Sequence, residues 1–318
     1  MSERYGYLGP EATFTEAALI ALMEARGTPD AARVPMKNVD AALAAVAAGE
    51  IDGAVVPIEN SVEGGVPATL DALSAHGRLQ IVAETLVPIT MVLAVKPGTT
   101  LEDVRAFSSH PHGEAQVRGW IDDHLPNAVY RPASSTAAAA RDLAHGTDAA
   151  GAPVDHQAAV CPRLAAERYG LEILAEDIGD RQDAVTRFVL VRLPGRLPRS
   201  TGADKTTIVA ALASDRAGAL LEMLEQFSTR GINLSRIESR PTGDGLGLYQ
   251  FSIDLSGHIH EARMAEALTG VHRVTRSLQF LGSYPSADEV ETTVAPENTD
   301  AAFADASAWL QRILTTGK

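Results

Sequence analysis

Short apolar runs alternate with longer alanine-rich stretches from Arg4 to Val191, and no other feature of the chain constrains its fold so tightly. RYGYLG precedes a helical pattern over about Thr15–Arg26, RVPM precedes VDAALAAVAAG, and IDGAVVPIEN precedes VPATLDALSAHG. A strand apolar on both faces must be covered on both, and the intervening helices do this, so the pattern predicts parallel βαβ units. LQIVAETLVPITMVLAVKPG supplies two further strands separated at Pro88. The alternation then resumes with RAFSSH, a helix over HGEAQVRGWIDDH, strand AVYRP, a helix over STAAAARDLAHG, strand AAV and a helix over PRLAAERYG. Two α/β lobes joined by crossing strands, with a cleft between them, accommodate this order. Segment 148–157 reads clearly as neither strand nor helix. The last strand follows in QDAVTRFVLV, where Thr186 and Arg187 stand before a continuous apolar run. An arginine there marks either a water boundary or a site.

The pattern breaks at Leu193–Asp204, LPGRLPRSTGAD, a Pro-, Gly- and Arg-rich stretch without periodicity that reads as a linker. Beyond it come strand KTTIVAALA, helix AGALLEMLEQFSTRG, strands INLSRIESRP and GLGLYQFSIDLSG, helix HEARMAEALTG and strand VHRVTRSLQFLGSYP. This βαββαβ order predicts a ferredoxin-like unit. In its first helix Leu220, Leu221, Leu224 and Phe227 form one apolar stripe expected to face the sheet. TGDGLGLY, with glycines at 243, 245 and 247, reads as a hairpin turn. From Pro285 the chain is polar until Phe303, Leu310, Ile313 and Leu314 outline a last amphipathic helix, expected to pack on a domain or a second subunit.

Charge narrows the partners. The 41 acidic side chains outweigh 27 basic ones, for a net charge of −14, which repels phosphate backbones and argues against nucleic acid. A single cysteine, Cys161, excludes an internal disulfide framework and multi-thiolate metal sites, and its alanine-rich surroundings suggest burial. MSERYGYLGPEATF lacks the layout of a secretory signal, and no apolar run approaches the roughly 20 residues of a membrane span. A cytoplasmic protein without membrane association is the expectation.

Three loops share one design, in which a strand ends and Gly, Ser or Thr residues lead into a helix. They carry Gly9, Thr13 and Thr15; Asn60, Ser61, Gly64 and Gly65; and Ser134, Ser135 and Thr136. Such helix starts seat carboxylates or phosphates, although Ser and Thr are also ordinary caps. SSHPHGEAQ adds Ser109, His110, His112 and Gln116, without further ligands at zinc spacing. Neither a P-loop, nor a dinucleotide fingerprint after the first strand, nor a G-x-S-x-G elbow is present.

The motifs YLGPEATFTEAA, VPIENSVEGGVPATLDAL, SSHPHGEAQ, SSTAAAA and TRFVLV, in this order, strongly resemble those of the bacterial prephenate dehydratases. GAL at Gly218, Ala219 and Leu220, and ESRP at Glu238, Ser239, Arg240 and Pro241, resemble the phenylalanine-binding motifs of that family's ACT domain. The resemblance runs from about Tyr5 to Tyr284. It implies a bilobal catalytic domain of type II periplasmic-binding-protein-like fold over residues 1–192, a linker over 193–204, an ACT domain over 205–284 and a tail over 285–318. It further implies prephenate as substrate, inhibition by phenylalanine, a homodimer or homotetramer, and neither cofactor nor metal.

By the same resemblance, Thr186 interacts with the departing ring hydroxyl. Arg187 holds a substrate carboxylate in a bidentate grip that Lys would not reproduce, and Phe188 walls the ring. Asn60, Ser61, Ser109 and Gln116 supply cleft hydrogen bonds, and Glu59 either tunes protonation or orders its loop. Thr13, Gly65, Ser134 and Thr136 join the substrate contacts, and Asn233 joins the effector pocket, which in this family lies between subunits. Members often carry Gly, Asn and Pro where Ala12, Ala184 and Ala217 stand here. Ala184 leaves open what orients Thr186. The alternatives are arogenate dehydration at the same site, or a non-catalytic bilobal sensor.

Overall fold

A computed structural model describes residues 3–62, 64–181, 183–243, 245 and 248–317. The chain divides into two compact units, Met1–Thr69 with Thr85–Val189, and Leu70–Glu84 with Leu190–Lys318. This division cuts across the expected boundary near residue 192, because Leu70–Glu84 belongs with the second unit.

Up to residue 192, including the part of α3 and β5 that belongs with the second unit, the chain runs β1 (Arg4–Leu8), α1 (Phe14–Ala25), β2 (Ala32–Met36), α2 (Val39–Ala47), β3 (Gly53–Asn60), β4 (Gly64–Gly65) and α3 (Pro67–Ala75). β5 (Gln80–Pro88) and β6 (Val92–Val95) then lead to β7 (Ala106–Ser109), α4 (Pro111–Ala115), α5 (Arg118–His124), β8 (Val129–Pro132) and α6 (Thr136–His145). β9 (Ala158–Cys161), α7 (Arg163–Arg168), β10 (Glu172–Ala175) and β11 (Val185–Arg192) complete this segment. One sheet has the order β2-β1-β3-β11-β5, with β4 paired to β3, and the other β10-β6-β9-β7-β8. The late strand β11 returns between β3 and β5, so the first sheet is completed by a strand from the far end of the segment. A feature absent from the sequence reading is β10, an edge strand antiparallel to β6. The helix expected over HGEAQVRGWIDDH is two short helices, α4 and α5.

The second sheet shows why its strands are apolar on both faces. Val92, Ala94, Ala159 and Cys161 join one core with the alanines of α6 and α7, whereas Leu93, Val95, Ala158 and Val160 join another with Val117, Ile121 and Leu125. Alternate residues thus enter opposite layers. Alanine on α6 brings helix and sheet close together. Cys161 is fully buried, and burial pushes its thiol up to about 12.

The second unit contains β12 (Asp204–Leu212), α8 (Ala219–Ser228), β13 (Leu234–Pro241), β14 (Tyr249–Ser256), α9 (Ala262–Val274), β15 (Thr275–Pro285) and α10 (Asp300–Thr316). The antiparallel sheet β13-β14-β12-β15 is the ferredoxin-like order. Its helical face buries Ile208, Ala210, Ile253 and Leu255 against Met223, Phe227, Met264 and Val271. Two expectations need correction here. Met223, not Leu221, completes the buried stripe, and Leu221 is 60% exposed, because at about 100° per residue it falls off the side that carries Ala219, Met223 and Phe227 and lines a pocket instead. VHRV ends α9 and does not begin β15. The predicted hairpin turn falls partly on Asp244, Leu246 and Gly247, outside the described residues, as do Glu63 and Gln182 of the loops read above. In the last helix, α10, Leu310 and Leu314 are exposed, so within the single chain these residues have no apolar surface covering them.

The opposite face of this sheet meets Leu70–Glu84 through polar side chains. Each strand sends one side chain to that segment. Lys205 of β12 donates to Glu84 at 2.8 Å, and Arg240 of β13 grips Asp71 with Nε–Oδ1 2.9 Å and Nη2–Oδ2 2.6 Å. Gln250 of β14 accepts from Ser74 Oγ at 2.8 Å, and Gln279 of β15 donates to the Leu73 carbonyl at 3.1 Å. Gly282, at φ +146°, lies so close to Ile81 that a Cβ would run into the Ile81 carbonyl.

Candidate functional site

Strand alternation decides what β11 offers. Thr186 and Phe188 lie on one face and line a cleft of about 580 Å³ in the first unit, together with Asn60, Gln116, Thr13, Ser134 and Thr136. That volume suits a small metabolite. Arg187 lies on the other face, 5% exposed, with Nη1 3.3 Å from Glu59 Oε2. The expected carboxylate clamp is therefore corrected. Arg187 does not line the cleft, because the pleat turns it away from its neighbours. Glu59 alternates with Asn60 in the same way, and its place beside Arg187 orders the strands.

Asn60 orients the Thr186 hydroxyl. Its Nδ2 donates to Thr186 Oγ1 at 2.8 Å, while its Oδ1 accepts from the Val62 N–H at 2.8 Å. The Val62 donor settles which end of the amide is oxygen, so the nitrogen faces the threonine. The Thr186 oxygen accepts from Asn60, and the threonine side chain lines the cleft, where its O–H has the capacity to donate. Asn60 thus answers the question raised by Ala184, which is buried and contributes only its carbonyl, accepting from Ile89 N at 2.8 Å. Ser61 stands off the cleft and ties β3 to β11 through reciprocal bonds with Val185. Gly65 pairs with Glu59. Ser109 is fully buried and donates to the Val160 carbonyl at 2.8 Å, beneath Gly113, so its expected hydrogen bond to substrate is corrected to a structural one.

Helix starts surround the cleft. Thr13, Asn38 and Ser135 cap α1, α2 and α6 by accepting backbone N–H bonds at 3.3, 2.8 and 2.9 Å, and all three line it. Their N-terminal dipoles favour anions. The sequence reading missed Asn38 and the adjacent Lys37, the one Lys or Arg among the described lining residues. The signal was present, since RVPMKNVDAAL has the same strand–cap–helix design as the three loops. His110 and His112 also line the cleft, their rings 5.1 Å apart. Ala12 precedes the first helix start at φ +64°, its N–H 2.5 Å from the buried Glu16 carboxylate.

A second pocket of about 590 Å³ lies in the second unit, where α8 begins and β12 ends. Gly218, in the left-handed region at φ +84°, and Leu220 line it with Leu212, Leu224, Tyr249 and Phe251, and Ala219 is buried. Asn233, Glu238, Ser239, Arg240 and Pro241 do not line it. They lie on or just before β13, an edge strand separated from β12 by β14, so one chain does not bring the two predicted halves of the effector pocket together.

A two-lobed α/β cleft protein followed by a ferredoxin-like regulatory module is the class that this fold and these two pockets define. The prephenate dehydratase family description matches residues 5–195, and the ACT domain description matches residues 206–273. The chain belongs to the prephenate dehydratase family and carries its ACT domain. It is 46% identical to the prephenate dehydratase of Mycobacterium tuberculosis H37Rv, over 98% of this chain and 94% of that protein. Identity to the prephenate dehydratase of Mycolicibacterium vanbaalenii is 45%, over 93% and 96%. The crystal structure of prephenate dehydratase from Arthrobacter aurescens in complex with L-Phe matches with TM-score 0.90 at 56% identity, over 98% of this chain and 99% of that one.

Proposed function

We propose that this chain converts prephenate to phenylpyruvate, carbon dioxide and water, and that L-phenylalanine inhibits it through the ACT domain. The electrons of the bond to the ring carboxylate enter the ring as carbon dioxide leaves. They aromatise it and expel the hydroxyl on the opposite carbon, which takes up one proton and departs as water. Hydroxide is a poor leaving group, so assistance there controls the rate, and general-acid help of this kind contributes about 10²–10⁴-fold.

The observation that carries the reading is the Asn60–Thr186 hydrogen bond at 2.8 Å. It occupies the threonine oxygen and directs the O–H at the leaving group. A threonine hydroxyl is too weak an acid to act by its own pKa, so it works as an oriented donor or relay. Lys37 and the starts of α1, α2 and α6 face the two substrate carboxylates, taking the part first given to Arg187. Phe188 and Met91 wall the ring, and Gln116, Ser134 and Thr136 complete the polar contacts.

For the effector, the pocket at the start of α8 offers free N–H groups for a carboxylate and leucines with Phe251 for an aromatic ring. Glu238–Pro241 and Asn233 of a second copy complete it, which makes a homodimer the smallest regulated form and allows a homotetramer. The test is phenylpyruvate release from prephenate by purified protein, with and without L-phenylalanine. Turnover that falls with the amino acid supports both assignments. No turnover overturns the enzyme reading, and turnover of arogenate alone reassigns the substrate.

A further inference from the structure

Helix α3 runs from the first unit into the second. Its first turn belongs to the first unit, where Ala68 and the preceding Val66 line the cleft and the fully buried Thr69 donates to the Pro57 carbonyl at 2.5 Å. Pro57 lies on β3, three residues before Asn60, and itself lines the cleft. The rest of α3 belongs to the second unit, where Asp71 is held by Arg240 and Ser74 by Gln250. Only Leu70 separates the anchor on the catalytic side from the anchor on the regulatory side. Asp71 and Ala68 are three residues apart on one helical turn, so a shift at Asp71 bears on Ala68.

The Asp71–Arg240 pair is poorly suited to a stabilising role. The side chains are 51% and 30% exposed, and exposed pairs contribute little to folding. Yet its geometry is bidentate, the arrangement that fixes position most sharply. Arg240 also lies in the ESRP motif.

We infer that Asp71 is a positioning residue that carries effector occupancy from β13 through α3 to the wall of the catalytic cleft. Phenylalanine bound beside Arg240 displaces or re-aims the guanidinium, α3 follows through Asp71, and Val66 and Ala68 move with it. This rests on the proposed effector site, and wild-type protein tests that separately.

The experiment compares wild type with Asp71→Asn, measuring kcat and KM for prephenate across L-phenylalanine concentrations and L-phenylalanine binding by calorimetry. Without effector, the variant is expected to keep kcat and KM within about twofold and to bind L-phenylalanine. Its inhibition is expected to weaken by about 5–150-fold, the usual range of coupling between sites. Because coupling is reciprocal, prephenate should also cease to alter L-phenylalanine affinity in the variant. Inhibition equal to wild type overturns the inference, and so does loss of L-phenylalanine binding, which would make Asp71 part of the pocket. Wild type that ignores L-phenylalanine overturns the effector reading and this inference with it. Ser74→Ala, which removes the second tie, should weaken inhibition in the same direction and serves if Asp71→Asn does not fold.

Discussion

Asn60 and Thr186 divide the capacities of one hydroxyl, an accepted bond from the amide and a donated one toward the cleft. Thr186→Ala is therefore expected to lower kcat by at least about 10²-fold while prephenate still binds. Asn60→Ala should lower it in the same direction, and single-turnover rates with equilibrium binding separate the two effects. Lys37→Met should instead raise KM about tenfold with kcat little changed, because it removes charge that holds ground and transition states alike. Away from the cleft, His156 and His258 are both buried and both lie below their ordinary value, burial being the main cause. The unfolded chain takes up these protons first, so the stability they contribute is present above about pH 6.5 and is lost as pH falls below it. Urea midpoints should drop between pH 7.5 and 5.5, and His156→Gln should remove part of the drop. Thr186 was legible from its motif, and the face of Arg187 was legible from alternation alone, since residues on either side of a strand position point the other way.

Among the elements, the strands and helices of strong periodicity were read correctly because burial on one or both faces writes the period into the sequence. β10 was missed because LEILAE is short and follows α7 without a turn signal other than Gly170, and the end of α9 because VHRV suits either element. Sequence gives no sign of the close approach between β15 and β5, which depends on how distant segments meet. Gly282 is where it matters. Its φ of +146° excludes an L side chain, and the Ile81 carbonyl fills the space a Cβ would take. Gly282→Ala is expected to cost more than about 3 kcal/mol by combining backbone strain with a steric clash. Chemical denaturation of the variant checks this, and a cost near zero would show that the two strands separate easily.

At the scale of the whole molecule, the sequence reading found a catalytic part, a linker and a regulatory part in that order, whereas the fold assigns Leu70–Glu84 to the regulatory side. No local pattern announces such an exchange, because α3 and β5 look like any other βαβ element. A fragment ending at residue 192 would leave the buried Glu84 carboxylate without Lys205, Ser286 and the Ala287 N–H. The buried apolar side chains of the same segment, Leu70, Leu73, Leu79 and Ile81, would also lose the unit they fold with, and exposing such surface is destabilising. The fragment is expected to melt about 10 °C or more below the full chain, or to aggregate, and scanning calorimetry decides. The same exchange bears on inheritance. A recombination event at the Pro- and Gly-rich stretch from Leu193 to Asp204, the junction that looks cleanest to cut, would pair a regulator with another parent's version of the fifteen residues it folds with. A working hybrid must take Leu70–Glu84 from the same parent as the ACT domain, so catalysis and its control descend together.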